Sequence, residues 1–344
     1  MQQVRLMLIG FGNVGKAFAQ LLLSKQEEIR STLDIDLRLV GIVTGRHGLA
    51  YNAQGLPVEA CLKIAEAGGR LTQHHQGELC NDALAFIQQY DADIVLETSP
   101  TNVEDGQPAI NYLKAALESG KHVVTANKGP VVHAFNEIMA LAKAKQKSFA
   151  FESAVLDGAP LFAMLRSGFP AAKIHGFRGI LNSCSNLLLD RMRTGDTLED
   201  AVEYAQMIGI AETNPLGDID GWDAAIKLAA LITIVMGVPT KPQDIPREGI
   251  GNISPKQIKL AERSGKRWKL ICKAEKQGDK VIASVQPEMV DANSPFYTVQ
   301  GTNSFLLIHS DVLPGVGLLE SDPEPRTTAY GLLADVLNIV QGNI

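Results

Sequence analysis

The chain has 344 residues, 45% hydrophobic and 20% charged, with a formal net charge of -6. At roughly 150 residues per domain, this length predicts two globular domains, each able to bury its own core. The balance of 32 basic and 38 acidic residues excludes a nucleic-acid or membrane-surface binder, which needs clustered Lys and Arg.

The cysteines Cys61, Cys80, Cys184 and Cys272 stand far apart without a C-x-x-C pair. That spacing fits a reducing compartment and argues against a zinc cluster. The longest apolar run, residues 228–238 with one Thr inside, is too short to span a bilayer. The N-terminus enters a strand pattern without a signal-peptide pattern, so the expected location is the cytoplasm.

In chain order, residues 4–9 are an apolar run ending at Gly10 and predict a strand. Residues 13–24 predict a helix with Val14, Phe18, Leu21 and Leu22 on one side. Strands predicted at 37–43, 94–97, 122–125 and 148–151 alternate with helices at 83–89, 108–118 and 132–145. Such alternation predicts an α/β fold, a Rossmann-type doubly wound parallel sheet. After about residue 155 the pattern changes. Helices are expected at 161–167, 197–208 and 222–236, and strands at 175–181 and 304–308. A hairpin is expected from 267–275 and 280–287 around Gln277-Gly278-Asp279. This half reads as α+β with an antiparallel sheet, followed by a last helix at 327–340.

Gly10-Phe11-Gly12-Asn13-Val14-Gly15 is a G-x-G-x-x-G between a strand and a helix. The first glycine permits the turn, the second a pyrophosphate, and the third close helix packing. The end of the second strand, Val43-Thr44-Gly45-Arg46-His47, offers no carboxylate for a ribose 2′-hydroxyl. It offers Arg46, which can pair with a 2′-phosphate, so both NADP and NAD remain open.

Residues 222–232 carry only two charges, Asp223 and Lys227, in an otherwise apolar helix. Four apart, they share a face and must pair closely or line a wet pocket. The preceding loop adds Glu212, Asp218 and Asp220. Acids beside a buried Lys predict a site for a cationic small molecule, with an α-ammonium group as a suitable ligand. Lys128 follows Asn127 after another strand, at the carboxyl edge where open parallel sheets bind ligands. The strand end from Glu97 to Asn102, including Thr98 and Ser99, reaches the same edge, beside the nicotinamide half.

At these residues the sequence resembles the homoserine dehydrogenase family. The resemblance covers nearly the whole chain. It runs through the glycine loop, residues 97–102, residues 120–130, Phe151-Glu152-Ser153-Ala154-Val155 and Gly217-Asp218-Ile219-Asp220-Gly221-Trp222-Asp223-Ala224-Ala225-Ile226-Lys227. It implies interconversion of L-aspartate-4-semialdehyde and L-homoserine with NAD(P)H, in threonine and methionine synthesis. Lys227 and Lys128 match the family's active-site lysines; Glu212 and Asp223 match its substrate-binding acids, with Asp218 beside them. It also implies a homodimer or homotetramer formed through the second domain's sheet. A sodium ion is implied, held mainly by carbonyl oxygens near Glu152, Val155, Asp157 and Ala159. The domains are then expected as 1–150 with 315–344 for the nucleotide, and 151–314 for substrate binding and dimerisation. A short form is expected, without kinase fusion or C-terminal regulatory domain.

Two segments depart from the family pattern. Asn182-Ser183-Cys184-Ser185-Asn186 replaces an Asn-Gly-Thr-Thr-Asn-like loop and puts Cys184 where a substrate-contacting Thr is expected. Residues 321–326 replace a glycine-rich loop. The first departure raises a rival: an aldehyde dehydrogenase with Cys184 as nucleophile, activated by His175 or His309. A second rival is a non-enzymatic NAD(P)-sensing protein on the same scaffold.

Overall fold

The computed structural model describes every residue except Asp279. The hairpin turn predicted around Gln277-Gly278-Asp279 therefore lies partly outside the described residues. The chain divides into two compact units, Met1–Pro160 with Glu324–Ile344, and Leu161–Pro323.

The first unit runs β1 (Gln2–Ile9), α1 (Asn13–Leu33), β2 (Ile35–Thr44), β3 (Gly48–Tyr51), α2 (Val58–Glu66), α3 (Ala83–Gln89) and β4 (Ile94–Glu97). It continues with α4 (Ala109–Glu118), β5 (His122–Thr125), α5 (Lys128–His133), α6 (Phe135–Lys145) and β6 (Phe149–Ala150). A C-terminal helix, Pro325–Val340, completes it. The sheet order is β3-β2-β1-β4-β5-β6. The pairs β1–β2, β1–β4, β4–β5 and β5–β6 are parallel, as in a Rossmann-type sheet. The strands are mainly apolar because helices cover both faces; all of β4 is buried, its terminal Glu97 included.

The C-terminal helix belongs here because Leu332, Leu333 and Val336 pack into the core of Leu6, Leu8, Phe18, Leu22 and Leu39. The units part at residue 160 rather than 150, and at 323 rather than 314. The physical reason is the turn at 152–159, which is bonded to the C-terminal helix. Glu152 N–H donates to Asp335 Oδ2 at 2.8 Å, and Ser153 Oγ–H to the Thr328 carbonyl at 2.7 Å.

Several elements differ from expectation, α2 among them, which was not expected. α1 extends to Leu33, past residue 24, because its later polar residues occupy exposed turns with a Lys25–Glu28 ion pair. β3 was not expected; it folds back antiparallel on β2, pairing Thr44 with Gly48. The single helix expected at 132–145 is broken at Ala134, which leaves α5 and α6.

The second unit contains α7 (Leu161–Gly168), β7 (Ile174–Ile180), α8 (Ser183–Thr194), α9 (Leu198–Met207), α10 (Leu216–Ile219) and α11 (Trp222–Leu231). It ends with α12 (Pro255–Arg263), β8 (Lys266–Gln277), β9 (Lys280–Asp291), β10 (Ser304–Ser310) and β11 (Val316–Glu320). Its sheet, β11-β10-β7-β8-β9, is antiparallel throughout. Leu306, Phe177, Cys272 and Val285 share one face through this register, and Cys272 Sγ lies 3.8 Å from the Ala224 carbonyl of α11. On the other face, Ile180, Ile271 and Val290 are covered by Phe296 and Val299. The helix expected at 222–236 is α-helical only to Leu231; Ile232–Met236 widen into a π-helical turn, closed by Gly237 at φ 70°. The predicted 182–186 loop is instead the cap and first turn of α8. Among the described residues, no helix is long and apolar enough to cross a membrane.

Candidate active site

In the first unit, the parallel register aligns the carboxyl ends of four strands. Ile9 pairs with Val43 and with Glu97, and Glu97 pairs with Thr125. The glycine loop, Arg46, Thr98-Ser99 and Asn127-Lys128 therefore sit along one edge, at the crevice where such sheets bind dinucleotides.

The three glycines do different work. Gly10 has φ 96°, and a Cβ there would lie 2.6 Å from the Thr98 carbonyl. A Cβ on Gly15 would lie 2.7 Å from the Gly10 carbonyl. Both are demanded by the protein's own packing. Gly12 has an ordinary φ of -81°, and a Cβ there would meet nothing within 4 Å. Packing does not explain it, and the open space leaves room for a ligand to approach the backbone. Gly12 is also the N-cap of α1, with no side-chain cap and no acid in the first turn, so the amides from Asn13 and Val14 onward suit an anion. These residues fit a dinucleotide pyrophosphate.

Thr44 ends β2, and its hydroxyl accepts from the Arg46 N–H at 3.4 Å. Arg46 is exposed on the turn into β3. Arg70, missed from sequence, packs nearby, its Nε 3.6 Å from where a Gly48 Cβ would stand. Its separation from Arg46 in sequence gave no signal.

At the other end of the edge, Glu97 is completely buried. Its carboxyl accepts from Ser99 N–H at 2.7 Å, from the Ser99 hydroxyl, and from Thr125 Oγ1 at 2.8 Å. Burial pushes this carboxyl above its ordinary value, and the Ser99 and Thr125 bonds oppose that. Asn127 caps α5 by accepting from Gly129 N–H at 2.9 Å, and donates from Nδ2 to the Ser99 carbonyl at 3.2 Å. Lys128, half-buried, is the first residue of that helix.

The 152–159 turn contains the expected cation-site residues. Asp157, at φ 30°, accepts from Thr328 Oγ1 at 2.9 Å. Among the described residues, no group of three or more His, Cys, Asp or Glu is gathered for a metal.

In the second unit, Asn182 caps α8: its Oδ1 accepts from Ser185 N–H at 2.6 Å. Its Nδ2 donates to Asp218 Oδ1 at 2.6 Å and to Asp223 Oδ2 at 3.0 Å. Lys227, one turn along α11 from Asp223, stands 3.7 Å from Asp223 Oδ2 and donates to the Leu181 carbonyl at 2.9 Å. It is 8% exposed. The two acids gather at the positive end of the α8 dipole. Even so, burial pushes the Asp218 carboxyl up, as does the charge of Asp223. Ser183 is half-buried in the first turn of α8. Glu212 is not part of this bonded group: it is exposed, and its carbonyl accepts from Gln206 Nε2 at 3.0 Å. The Leu181 carbonyl was missed from sequence, since a main-chain acceptor leaves no side-chain signal.

The structure overturns the Cys184-nucleophile reading. Cys184 is buried, and burial, then Asp218, hold its thiol far above the ordinary range. His175 and His309 lie at the opposite end of β7 from α8, with five residues or roughly 17 Å of strand between His175 and Ile180 at about 3.3 Å per residue. A buried thiol held protonated beside carboxylates, with neither His175 nor His309 in reach, is not an activated nucleophile.

The homoserine dehydrogenase family model matches residues 160–337, and the NAD-binding domain model of homoserine dehydrogenases matches residues 10–152. The NAD(+)-dependent homoserine dehydrogenase of Pseudomonas canavaninivorans is 33% identical over 99% of this chain and 97% of its own length. The homoserine dehydrogenase of Methanocaldococcus jannaschii is 31% identical over 97% of this chain and 98% of its own length. A crystal structure of a homoserine dehydrogenase from Thiobacillus denitrificans matches with a TM-score of 0.83 at 28% identity, over 100% of this chain and 74% of that one. Together with a dinucleotide edge in one unit and a buried Lys–Asp cluster in the other, these matches show that the chain belongs to the homoserine dehydrogenase family.

Proposed function

We propose that this chain interconverts L-homoserine and L-aspartate-4-semialdehyde, with Lys227 acting at the reacting oxygen and Lys128 as a second catalytic lysine. The observation that carries this reading is the buried Lys227, 3.7 Å from Asp223 within the Asn182–Asp218–Asp223 cluster. A bound nicotinamide supplies the hydride in reduction and accepts it in oxidation. The ammonium of Lys227 stabilises negative charge developing on the substrate oxygen and gives that oxygen its proton; in oxidation it takes the proton back. Lys128 is the second lysine assigned to catalysis, on the resemblance of its segment to the family's. Asp218, Asp223 and Glu212 attract the substrate's α-ammonium group, and Asn182, Ser183 and Cys184 form the polar wall at the start of α8.

On the cofactor side, Gly10, Gly12, Asn13, Val14 and Gly15 hold the pyrophosphate. Thr44 and Arg46 meet the adenosine ribose, and Thr98, Ser99 and Asn127 the nicotinamide half. The absence of an acid at the end of β2, with Arg46 exposed there, supports use of NADP as well as NAD. Carbonyl oxygens at Glu152, Val155, Asp157 and Ala159 would suit a sodium ion, a hard cation that prefers oxygen. Leu319 and Ile282, each 54% exposed on the same face of the second sheet, support dimerisation through it. Four free thiols fit the cytoplasm.

The deciding experiment follows absorbance at 340 nm with homoserine and NAD or NADP separately. Homoserine-dependent reduction of either cofactor supports the reading. Reduction with other amino-hydroxy acids but not homoserine overturns it.

A further inference from the structure

We infer that Glu97 is a positioning residue, holding Lys128 in place through Ser99, Thr125 and Asn127. The inference rests on the role proposed above for Lys128.

Glu97 ends β4 and faces Thr125 across the parallel ladder. A completely buried carboxyl is costly unless its oxygens are bonded, and here they take three donors. One oxygen gathers the Ser99 amide and hydroxyl; the other takes the Thr125 hydroxyl. Both partners then bond Asn127. Thr125 Oγ1 accepts the Asn127 N–H at 2.9 Å, and the Ser99 carbonyl accepts Asn127 Nδ2 at 3.2 Å. Asn127 in turn caps the helix that Lys128 begins. Two routes of hydrogen bonds therefore run from Glu97 to the residue before Lys128. They fix the two loops that carry Thr98, Ser99, Asn127 and Lys128.

A carboxylate is the group this arrangement needs, because it accepts on both oxygens. Gln would turn an NH2 toward Thr125 or Ser99, where a donor already points. The Thr125 hydroxyl would have to swing to the Glu97 carbonyl, a longer contact at 3.3 Å. Asp would be one methylene too short to reach both loops.

The test is a double-mutant cycle of Glu97→Gln and Lys128→Ala, read as kcat and homoserine KM at saturating cofactor, with Tm recorded for each enzyme. Glu97→Gln is expected to lower kcat about tenfold with KM changed less than about threefold, and to cost less than about twofold once Lys128 is Ala. Losses that simply multiply, or a Glu97→Gln enzyme with wild-type kcat, overturn the role of Glu97. A Lys128→Ala enzyme with wild-type turnover overturns instead the assignment of Lys128, and with it the purpose of the clamp. If Glu97→Gln does not fold, Thr125→Val and Thr125→Ser replace it. The Val variant should show the same coupling to Lys128, and the Ser variant should keep wild-type kcat; equal behaviour of the two overturns the inference.

Discussion

The side-chain amide of Asn182 donates to Asp218 at 2.6 Å while its oxygen caps α8. The same nitrogen holds Asp223 at 3.0 Å. One short side chain thus fixes the start of a helix and brings together two like charges from two other elements. Their repulsion is tolerable because the Asn182 amide donates to both, while the α8 dipole and Lys227 add positive charge.

That arrangement makes stability depend on pH. Burial and Asp223 raise the Asp218 carboxyl above its unfolded value. The folded state therefore binds this proton more tightly. Its stabilising contribution is complete below the unfolded value of about 3.9 and is lost as pH rises through the folded value. Asp218→Asn does not titrate, so its Tm relative to wild type should increase as pH rises above the unfolded value of about 3.9. Homoserine KM should rise about tenfold or more. Thermal melts of both proteins at increasing pH check it; a relative Tm that falls with pH contradicts it.

Cys184→Ser should keep kcat within about threefold, since a protonated thiol serves only as a wall and a weak donor to Asp218. Steady-state assay decides the matter. A loss beyond about a hundredfold would restore a nucleophilic role.

The glycines of the loop should separate by phenotype. Gly10→Ala forces a side chain into a left-handed backbone 2.6 Å from the Thr98 carbonyl, and should cost about 1–3 kcal/mol of stability. Gly12→Ala has space, so its Tm should stay within about 2 °C of wild type, while cofactor affinity drops about tenfold or more. Calorimetric unfolding and cofactor titration report the two quantities independently. Tight cofactor binding by Gly12→Ala would dissociate the loop from the pyrophosphate.

Arg46→Ala should raise KM for NADP about tenfold or more and leave KM for NAD within about threefold, because only the 2′-phosphate needs the guanidinium. Parallel titrations with the two cofactors check this; an equal change in both would remove Arg46 from the discrimination.

What sequence reveals here follows from how local each signal is. The strand, glycine turn and helix from β1 to α1 are contiguous, and their pattern is visible without tertiary context. The cap of α12 was equally local, with Ser254 and Gln257 bonding each other's backbone and Pro255 at the first helical position, yet went unread. α8 is different. Asn182-Ser183-Cys184-Ser185-Asn186 has the composition of a turn, and burial of every residue from Cys184 to Leu189 turns it into a helix. Asp223 and Lys227 were legible because helical spacing alone puts them together. Lys269 was not: it is fully buried and bonds Asn186 Oδ1 at 2.8 Å and the Val299 carbonyl, partners set by the fold alone. Its ammonium is driven down to about 8 by burial.

The central claim is that Lys227 serves the reacting oxygen. Its direct test is Lys227→Ala, measured by homoserine-dependent absorbance at 340 nm and, separately, by cofactor binding. The expected result is a kcat lowered more than about tenfold with cofactor affinity unchanged. Wild-type turnover in that variant would contradict it.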